Sequence, residues 1–345
     1  MQLTFVQYLI LFSSSLLCVG ALTPLMRKIA INKQIVDKPN ETHKTHANPI
    51  PYLGGVAIVI GVTLVSYLAL FIGGFSISKI SLASSILIPA LLVGAIGLVD
   101  DVKKLTPQSR FLAQNAIAIV STQILISTQT IGSPTDNSFL DFLITVFWIV
   151  GLTNALNFFD NIDGGASGTA AISAFFLFIL ALQGSQYFIA ALALVLVGGT
   201  IGFLIWNRPP ARIYMGDAGS LFLGLLLASL TIRLDPNPIN RIAGFLVPFF
   251  LMAVPIMDTT VVVTKRLVRQ ISPFQGGRDH LSHRLMRAGL TKRQSVLSLW
   301  LLTTFFSSIG LVISHANFAL EGIISLGGLT LWIAILVLFA RTEDE

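Results

Sequence analysis

The stretch FLDFLITVFWIVGLTNALNFFDNIDGG, residues 139–165, decides how the whole chain is read. From Phe139 to Phe158 it carries one charge, at Asp141. A helix needs about 20 mostly apolar residues to cross the ~30 Å hydrocarbon core of a bilayer. At the far end of this run Asn154, Asn157, Asp160 and Asp163 recur every three residues. That spacing keeps them near one helical face, drifting slowly around it. Amides and carboxylates at the end of a span suit ribose, uracil, an amide or a cation. The competing reading is a polar stripe packed against a neighbouring helix. Polar groups are costly at the edge of hydrocarbon, and four in register favour a ligand. Gly164-Gly165 reads as the stop that ends the helix and lets the backbone turn closely.

The composition agrees with a membrane span repeated many times. The chain has 345 residues, 54% hydrophobic and 11% charged, with a mean hydropathy of +0.81. A soluble domain carries about 25% charged residues, so a soluble enzyme and a disordered chain are both excluded. Further apolar runs lie near 4–25, 52–72, 81–99, 110–128, 166–183, 186–206, 216–232, 241–264, 295–314 and 317–340. With 139–158 they predict an all-α, polytopic membrane helix bundle of about eleven transmembrane helices, one domain over 1–345. The first run has no basic segment before it and reads as a retained helix rather than a signal peptide. The single cysteine, Cys18, excludes an intrachain disulfide and a cysteine metal site.

The net charge of +6 would suggest nucleic acid in a soluble protein. Here the cations mark topology, and no nucleic-acid partner is expected. All but three of the 22 Lys and Arg follow odd-numbered spans, the exceptions being Lys79, Arg233 and Arg241. The positive-inside rule then places the N-terminus outside and the C-terminus in the cytoplasm. The cytoplasmic loops fall near 26–51, 100–109, 159–165, 207–215 and 265–294. They hold four of the five histidines, His43, His46, His280 and His283, and most of the acidic residues. Chemistry is therefore expected at the cytoplasmic face.

Four more groups of residues carry it. Asp100-Asp101 ends the third span; adjacent carboxylates repel unless a cation is near. Lys103, Lys104 or Mg²⁺, a hard ion that favours carboxylate and phosphate oxygens, would supply one. A solvated helix end is the plain alternative. Asp217 opens the eighth span, as an N-cap or first-turn acid favoured by the helix dipole. Gly216 and Gly219 beside it suggest close backbone approach to a ligand. Arg208 and Arg212 offer charge-assisted bonds to phosphate. Asp258 lies inside the ninth span, where a carboxylate faces the protein interior, either as a functional group or in a buried pair. In the last loop Asp279 can N-cap a short helix ending at Gly289, with His280 and His283 at i and i+3 and Arg284 and Arg287 continuing that face. With Arg278, this makes a diphosphate cradle. The basic residues alone would also suit anionic lipid heads. His46 lies in a Pro-fixed first loop, His46-Ala-Asn-Pro-Ile-Pro-Tyr-Leu-Gly-Gly. Carboxylates, amides, a histidine pair and arginines on one face fit Mg²⁺-assisted phosphoryl transfer.

These motifs, taken in order, resemble the polyprenyl-phosphate N-acetylhexosamine-1-phosphate transferases. The matching stretches are Asp37-Lys-Pro-Asn, Pro51-Tyr-Leu-Gly-Gly, Gly97-Leu-Val-Asp-Asp, Asn154-Ala-Leu-Asn-Phe-Phe-Asp-Asn-Ile-Asp-Gly, Tyr214-Met-Gly-Asp-Ala-Gly-Ser-Leu and Pro255-Ile-Met-Asp. The resemblance implies that Asp217 holds Mg²⁺ (or Mn²⁺), with Asp101 as a second metal contact. It implies that Asp100 or Asp101 acts as base, and that His280 and His283 belong to the catalytic set and neutralise diphosphate charge together with the loop arginines. Asn154, Asn157, Asp160, Asp163, His46, Arg208, Arg278 and Arg284 would bind substrate. The family's last loop has a His-x-His-His-like motif, and here Ser282 stands where one histidine is expected. The implied substrates are a UDP-N-acetylhexosamine and undecaprenyl phosphate, on the cytoplasmic face of a bacterial plasma membrane. The Ser-Pro-Phe and Arg-Asp-His context resembles the GlcNAc-loading branch, with the phospho-MurNAc-pentapeptide branch as the alternative and a homodimer as a possible assembly. A cation-coupled transporter is the rival from another class. Against it, the polar residues gather on one face rather than at mid-membrane.

Overall fold

The computed structural model describes every residue except 1, 38–48, 75, 128–134, 136, 237–240, 275 and 343–345. The described residues are predominantly helical. In order the helices are α1 (Phe5–Asn32), α2 (Gly54–Ile72), α3 (Ile77–Lys103), α4 (Pro107–Ser127), α5 (Ser138–Phe159), α6 (Gly165–Gln183), α7 (Tyr187–Asn207), α8 (Gly216–Arg233), α9 (Arg241–Leu251), α10 (Ala253–Val268), α11 (Leu281–Arg287), α12 (Lys292–Ile313) and α13 (Phe318–Arg341). Among the described residues one short pairing departs from this. Val36–Asp37 (β1) runs antiparallel to Ile50–Pro51 (β2), tying together the two ends of the first loop.

The chain is a polytopic membrane helix bundle. Nine helices among the described residues are long and apolar enough to cross a bilayer, or ten if α9 and α10 form one broken span. Those two meet at a 77° bend around Met252. Pro248 inside α9 removes a helical donor just before the break. The fourth expected span coincides with α4, which is not among the helices long and apolar enough to cross a bilayer. Its polar positions include Gln114, Ser121 and Thr122, all buried against the bundle.

α8 is the most enclosed span, while α1 and α13 are the least. α3 and α5 both pack on α8, and α1 and α6 pack on α7. This puts the C-terminal ends of α3 and α5 beside the N-terminal end of α8. The core is aliphatic and aromatic, with Phe159, Phe203, Phe222, Phe250 and Phe306 fully buried. Polar satisfaction inside it is largely local: Thr153, Thr200 and Thr231 hydroxyls donate back to carbonyls one turn earlier.

Candidate active site

The first backbone N–H groups of a helix have no partner within it and carry a partial positive charge. At α8 they are taken by carboxylates from two other helices. Asp101, in the last turn of α3, accepts from Asp217 N–H at 2.8 Å and Ala218 N–H at 3.0 Å. Asp160 caps the C-terminus of α5 and accepts from Gly216 N–H. The helices approach this closely because of glycine. Gly216 has φ +73°, and a Cβ there would lie 2.7 Å from Asp101 Oδ2. A Cβ on Gly97 would lie 2.3 Å from the Asp217 carbonyl oxygen. Gly219 rests on the backbone of Gly55. The glycines around Asp217 thus make room for the protein itself, correcting the expectation that they admit a ligand.

Asp217 completes the cluster. Its Oδ1 accepts from Asn157 Nδ2 at 2.8 Å, and Asn157 also donates to Ser220 Oγ at 2.9 Å. Its Oδ2 is paired with Arg110. The same guanidinium nitrogen reaches Asp100 Oδ2 at 2.6 Å, and Asp100 Oδ1 accepts from Leu105 N–H at 2.6 Å. Arg110 thus pairs with both Asp100 and Asp217, while Asp101 and Asp160 join the cluster through the N–H groups that open α8. Burial, with the charges of Asp217, Asp101 and Asp163, pushes the Asp160 carboxyl well above the usual carboxylate range.

The other expected residues fall around this centre. Asn154 donates to Gln114 Oε1 at 2.8 Å and so links α5 to α4. The stripe does not continue as helix: α5 ends at Phe159, and Asp163 lies beyond it. Asp163 is buried, accepting from Ala211 N–H at 2.9 Å and pairing with Lys292 at 2.9 Å. It fastens the 208–215 loop to the start of α12. Gly164 is not a helix stop but the left-handed residue before α6, with φ +74°.

The last loop packs on the same side. Asp258 in α10 is fully buried. Its Oδ2 lies 2.7 Å from His280 Nδ1, and its Oδ1 accepts from Leu281 N–H at 2.7 Å. This is the buried pair that the sequence left open. The short helix α11 is capped by His280 rather than by Asp279. Asp279 instead forms a two-pronged pair with Arg266, both bonds 2.7 Å, and this partnership holds its carboxyl below the usual range against the effect of burial. His283 follows one turn after His280, their rings 6.2 Å apart. Burial, foremost, with His280 and the Arg278 and Arg287 charges lowers the His283 pKa to about 4, although Asp258 opposes this. Ser282 bonds to Asn161 at the end of α5. Arg284 is buried and spends its donors on Asp279, Phe339 and Thr342 carbonyls. Arg208 is exposed at the end of α7, and Arg278 is half-buried in the last loop. His46 lies outside the described residues.

The donor set suits a hard divalent cation: carboxylate oxygens in excess of positive charge, each with lone pairs left after its present bonds. Among the described residues no three acidic or imidazole groups converge as a ready-made cage. Mg²⁺ does not require one, because it keeps waters and takes one or two carboxylates plus substrate phosphate.

Comparison with known proteins decides the family. Over 342 residues the chain is 32% identical to the probable undecaprenyl-phosphate N-acetylglucosaminyl 1-phosphate transferase of Bacillus subtilis (strain 168), covering 97% of this chain and 89% of that protein. The chain belongs to glycosyl transferase family 4. The family description matches residues 83–235, which contain Asp100, Asp101, Arg110, Asn157, Asp160 and Asp217. Other relatives include the decaprenyl-phosphate N-acetylglucosaminephosphotransferase of Mycolicibacterium smegmatis (strain ATCC 700084 / mc(2)155), 31% identical over 81% of this chain and 75% of that one. The phospho-N-acetylmuramoyl-pentapeptide-transferase of Streptococcus uberis (strain ATCC BAA-854 / 0140J) is 28% identical over 76% and 83%. These identities favour the GlcNAc-1-phosphate branch of family 4. In this family 4 protein Arg110 is the site residue that sequence reasoning overlooked, because a lone arginine at a span boundary reads as a topology determinant.

Proposed function

We propose that the chain transfers an N-acetylhexosamine 1-phosphate, with GlcNAc-1-phosphate the first choice, from a UDP-sugar to undecaprenyl phosphate. A lipid phosphate oxygen forms a bond to the sugar-bearing phosphorus, and the bond from that phosphorus to the UMP oxygen breaks. The sugar C1–O bond stays intact, so the anomeric configuration is kept. The observation that supports this reading is the gathering of Asp100, Asp101, Asp160 and Asp217 around the N-terminus of α8, with Arg110 paired to Asp100 and Asp217, at the basic end of the bundle. Phosphoryl transfer relies on positioning and charge neutralisation, and this cluster offers both.

In this reading Asp217 and Asp101 would hold Mg²⁺, whose charge would offset that of the diphosphate and of the departing UMP. Asn157 orients Asp217 through the 2.8 Å bond. Asp100 and Arg110 set the position of Asp217 from its other side. His280 is fixed by Asp258 through the 2.7 Å contact, and His283 enters as a neutral imidazole at pH 7, a hydrogen-bonding group rather than a cation. Arg278 supplies positive charge for phosphate. The site faces the cytoplasm of a bacterial plasma membrane, with eleven spans and the N-terminus outside.

The test is purified protein in detergent with undecaprenyl phosphate, Mg²⁺ and radiolabelled UDP-GlcNAc. Label should enter the lipid phase with matching UMP release, and both should vanish with EDTA or in Asp217→Ala. UDP-GalNAc and UDP-MurNAc-pentapeptide serve as further donors. Failure with all three in folded protein would overturn the assigned reaction.

A further inference from the structure

A separate cavity of about 540 Å³ opens between the end of α7 and the first turns of α12, and none of the carboxylate cluster lines it. Its walls divide by chemistry. Trp206, Leu297 and Trp300 form an apolar part, while Arg208, Arg212 and Arg293 contribute the charge. No acidic residue lines it. Among the described residues neither Arg208 nor Arg293 has a carboxylate partner, and the Arg212 guanidinium lies 5.8 Å from the centre of the Trp206 ring.

Arg293 stands in the first turn of α12, where the helix dipole disfavours a cation. Its neighbour Lys292 is compensated by Asp163, but Arg293 is not. Both α7 and α12 are long and apolar enough to cross a membrane, so their ends lie where headgroups meet acyl chains. Leu297 is 52% exposed at that level. Three guanidinium groups call for an anion, and the two indoles and a leucine call for hydrocarbon attached to it. A free anion has no use for the apolar wall, and a zwitterionic head would bring a cation among three others.

We propose that this cavity binds an anionic glycerophospholipid of the surrounding bilayer, its phosphate among Arg208, Arg212 and Arg293 and its upper acyl chain against Trp206, Leu297 and Trp300. The site is independent of the transfer reaction proposed above. It adjoins the loop that leads to Asp217, because Arg208 and Arg212 flank Ala211, whose N–H is held by Asp163. A bound headgroup would brace that loop from the side opposite Asp163.

The two indoles give a direct readout. Protein is placed in phosphatidylcholine nanodiscs containing phosphatidylglycerol with brominated acyl chains, and tryptophan quenching is compared with that by brominated phosphatidylcholine at equal mole fraction. The expected result is stronger quenching by the anionic lipid. Arg293→Gln weakens this preference about fivefold, the effect of one interfacial charge, whereas Arg293→Lys keeps it. Leu297→Ser, which leaves every charge in place, also lowers it and serves should Arg293→Gln fold poorly. Equal quenching by the two lipids, or a preference unchanged in both Arg293→Gln and Leu297→Ser, would overturn the proposal. Loss of the preference on adding millimolar inorganic phosphate at constant ionic strength would assign the cavity to a soluble anion and overturn it as a lipid site.

Discussion

Asp160 lies within the field of three other carboxylates and accepts a single backbone N–H from Gly216. Its folded pKa is raised above that of the unfolded chain. Its contribution to stability is therefore present below the ordinary carboxylate range and lost as pH rises through the raised value. A divalent cation competes with that proton. Mg²⁺ should accordingly raise the Tm of the detergent-solubilised protein less at low pH, where Asp160 is protonated, than at high pH, where it is ionised. Asp160→Asn should flatten that dependence, and a Tm indifferent to Mg²⁺ at every pH would count against the cluster as a cation site. His283 titrates in the opposite sense. Its pKa of about 4 is below the ordinary 6.5, so its contribution is complete above 6.5 and lost as pH falls toward 4. His283→Gln should lessen the loss of Tm across that window. Gly216→Ala tests packing at the same point: the left-handed backbone alone costs about 1 kcal/mol, and the new Cβ strikes the Asp101 carboxylate at 2.7 Å. A lowered Tm together with lost transferase activity is expected, with Asp101 displaced from the Asp217 and Ala218 N–H groups.

Elements, rather than single residues, explain what the sequence disclosed and what it withheld. The spans were legible because hydrocarbon demands long apolar runs and turns punctuate them, and nine helices among the described residues meet that demand, or ten with α9 and α10 as one broken span. The 77° break between α9 and α10 was not legible. Pro248 and Pro255 stand on either side of it, but a proline also sits inside α1 at Pro24 and inside α3 at Pro89 without a break there. The periodic Asn154–Asp163 stripe looked like one helical face, yet only its first half is helical. The helix ends at Phe159 with Asp160 as its cap, and Asp163 beyond it is held instead by Ala211 and Lys292. Arg110 and Asp258 were visible as residues but not as partners, since pairing across 107 or 22 positions leaves no local signal. The α10–α11 junction yields a test at this scale. Leaving a buried donor without its acceptor costs about 1–3 kcal/mol. Asp258→Ala should release His280 and the Leu281 N–H, and hydrogen exchange over 278–290 should quicken while α8 amides stay protected. Unchanged exchange there would mean that α11 is held by its other contacts.

At the scale of the whole molecule, the proposed orientation in the membrane rests on the unequal distribution of Lys and Arg. In a Cys18→Ser background, Ser185→Cys between α6 and α7 should react with a membrane-impermeant maleimide on intact cells. Ser272→Cys after α10 should react only once the membrane is opened, and the reverse pattern would invert the proposed topology. The last loop is anchored from a distance: Arg284 donates to the Phe339 and Thr342 carbonyls, 55 and 58 positions further along the chain. On the ribosome, His280 and His283 therefore emerge well before their clasp has been synthesised, and the two membrane segments between them, α12 and α13, must be inserted first. A nascent chain can assemble the carboxylates of α3, α5 and α8 early and still lack a settled histidine loop. The timing of biogenesis thus leaves Arg284 without its C-terminal carbonyl partners until the end of α13 has emerged.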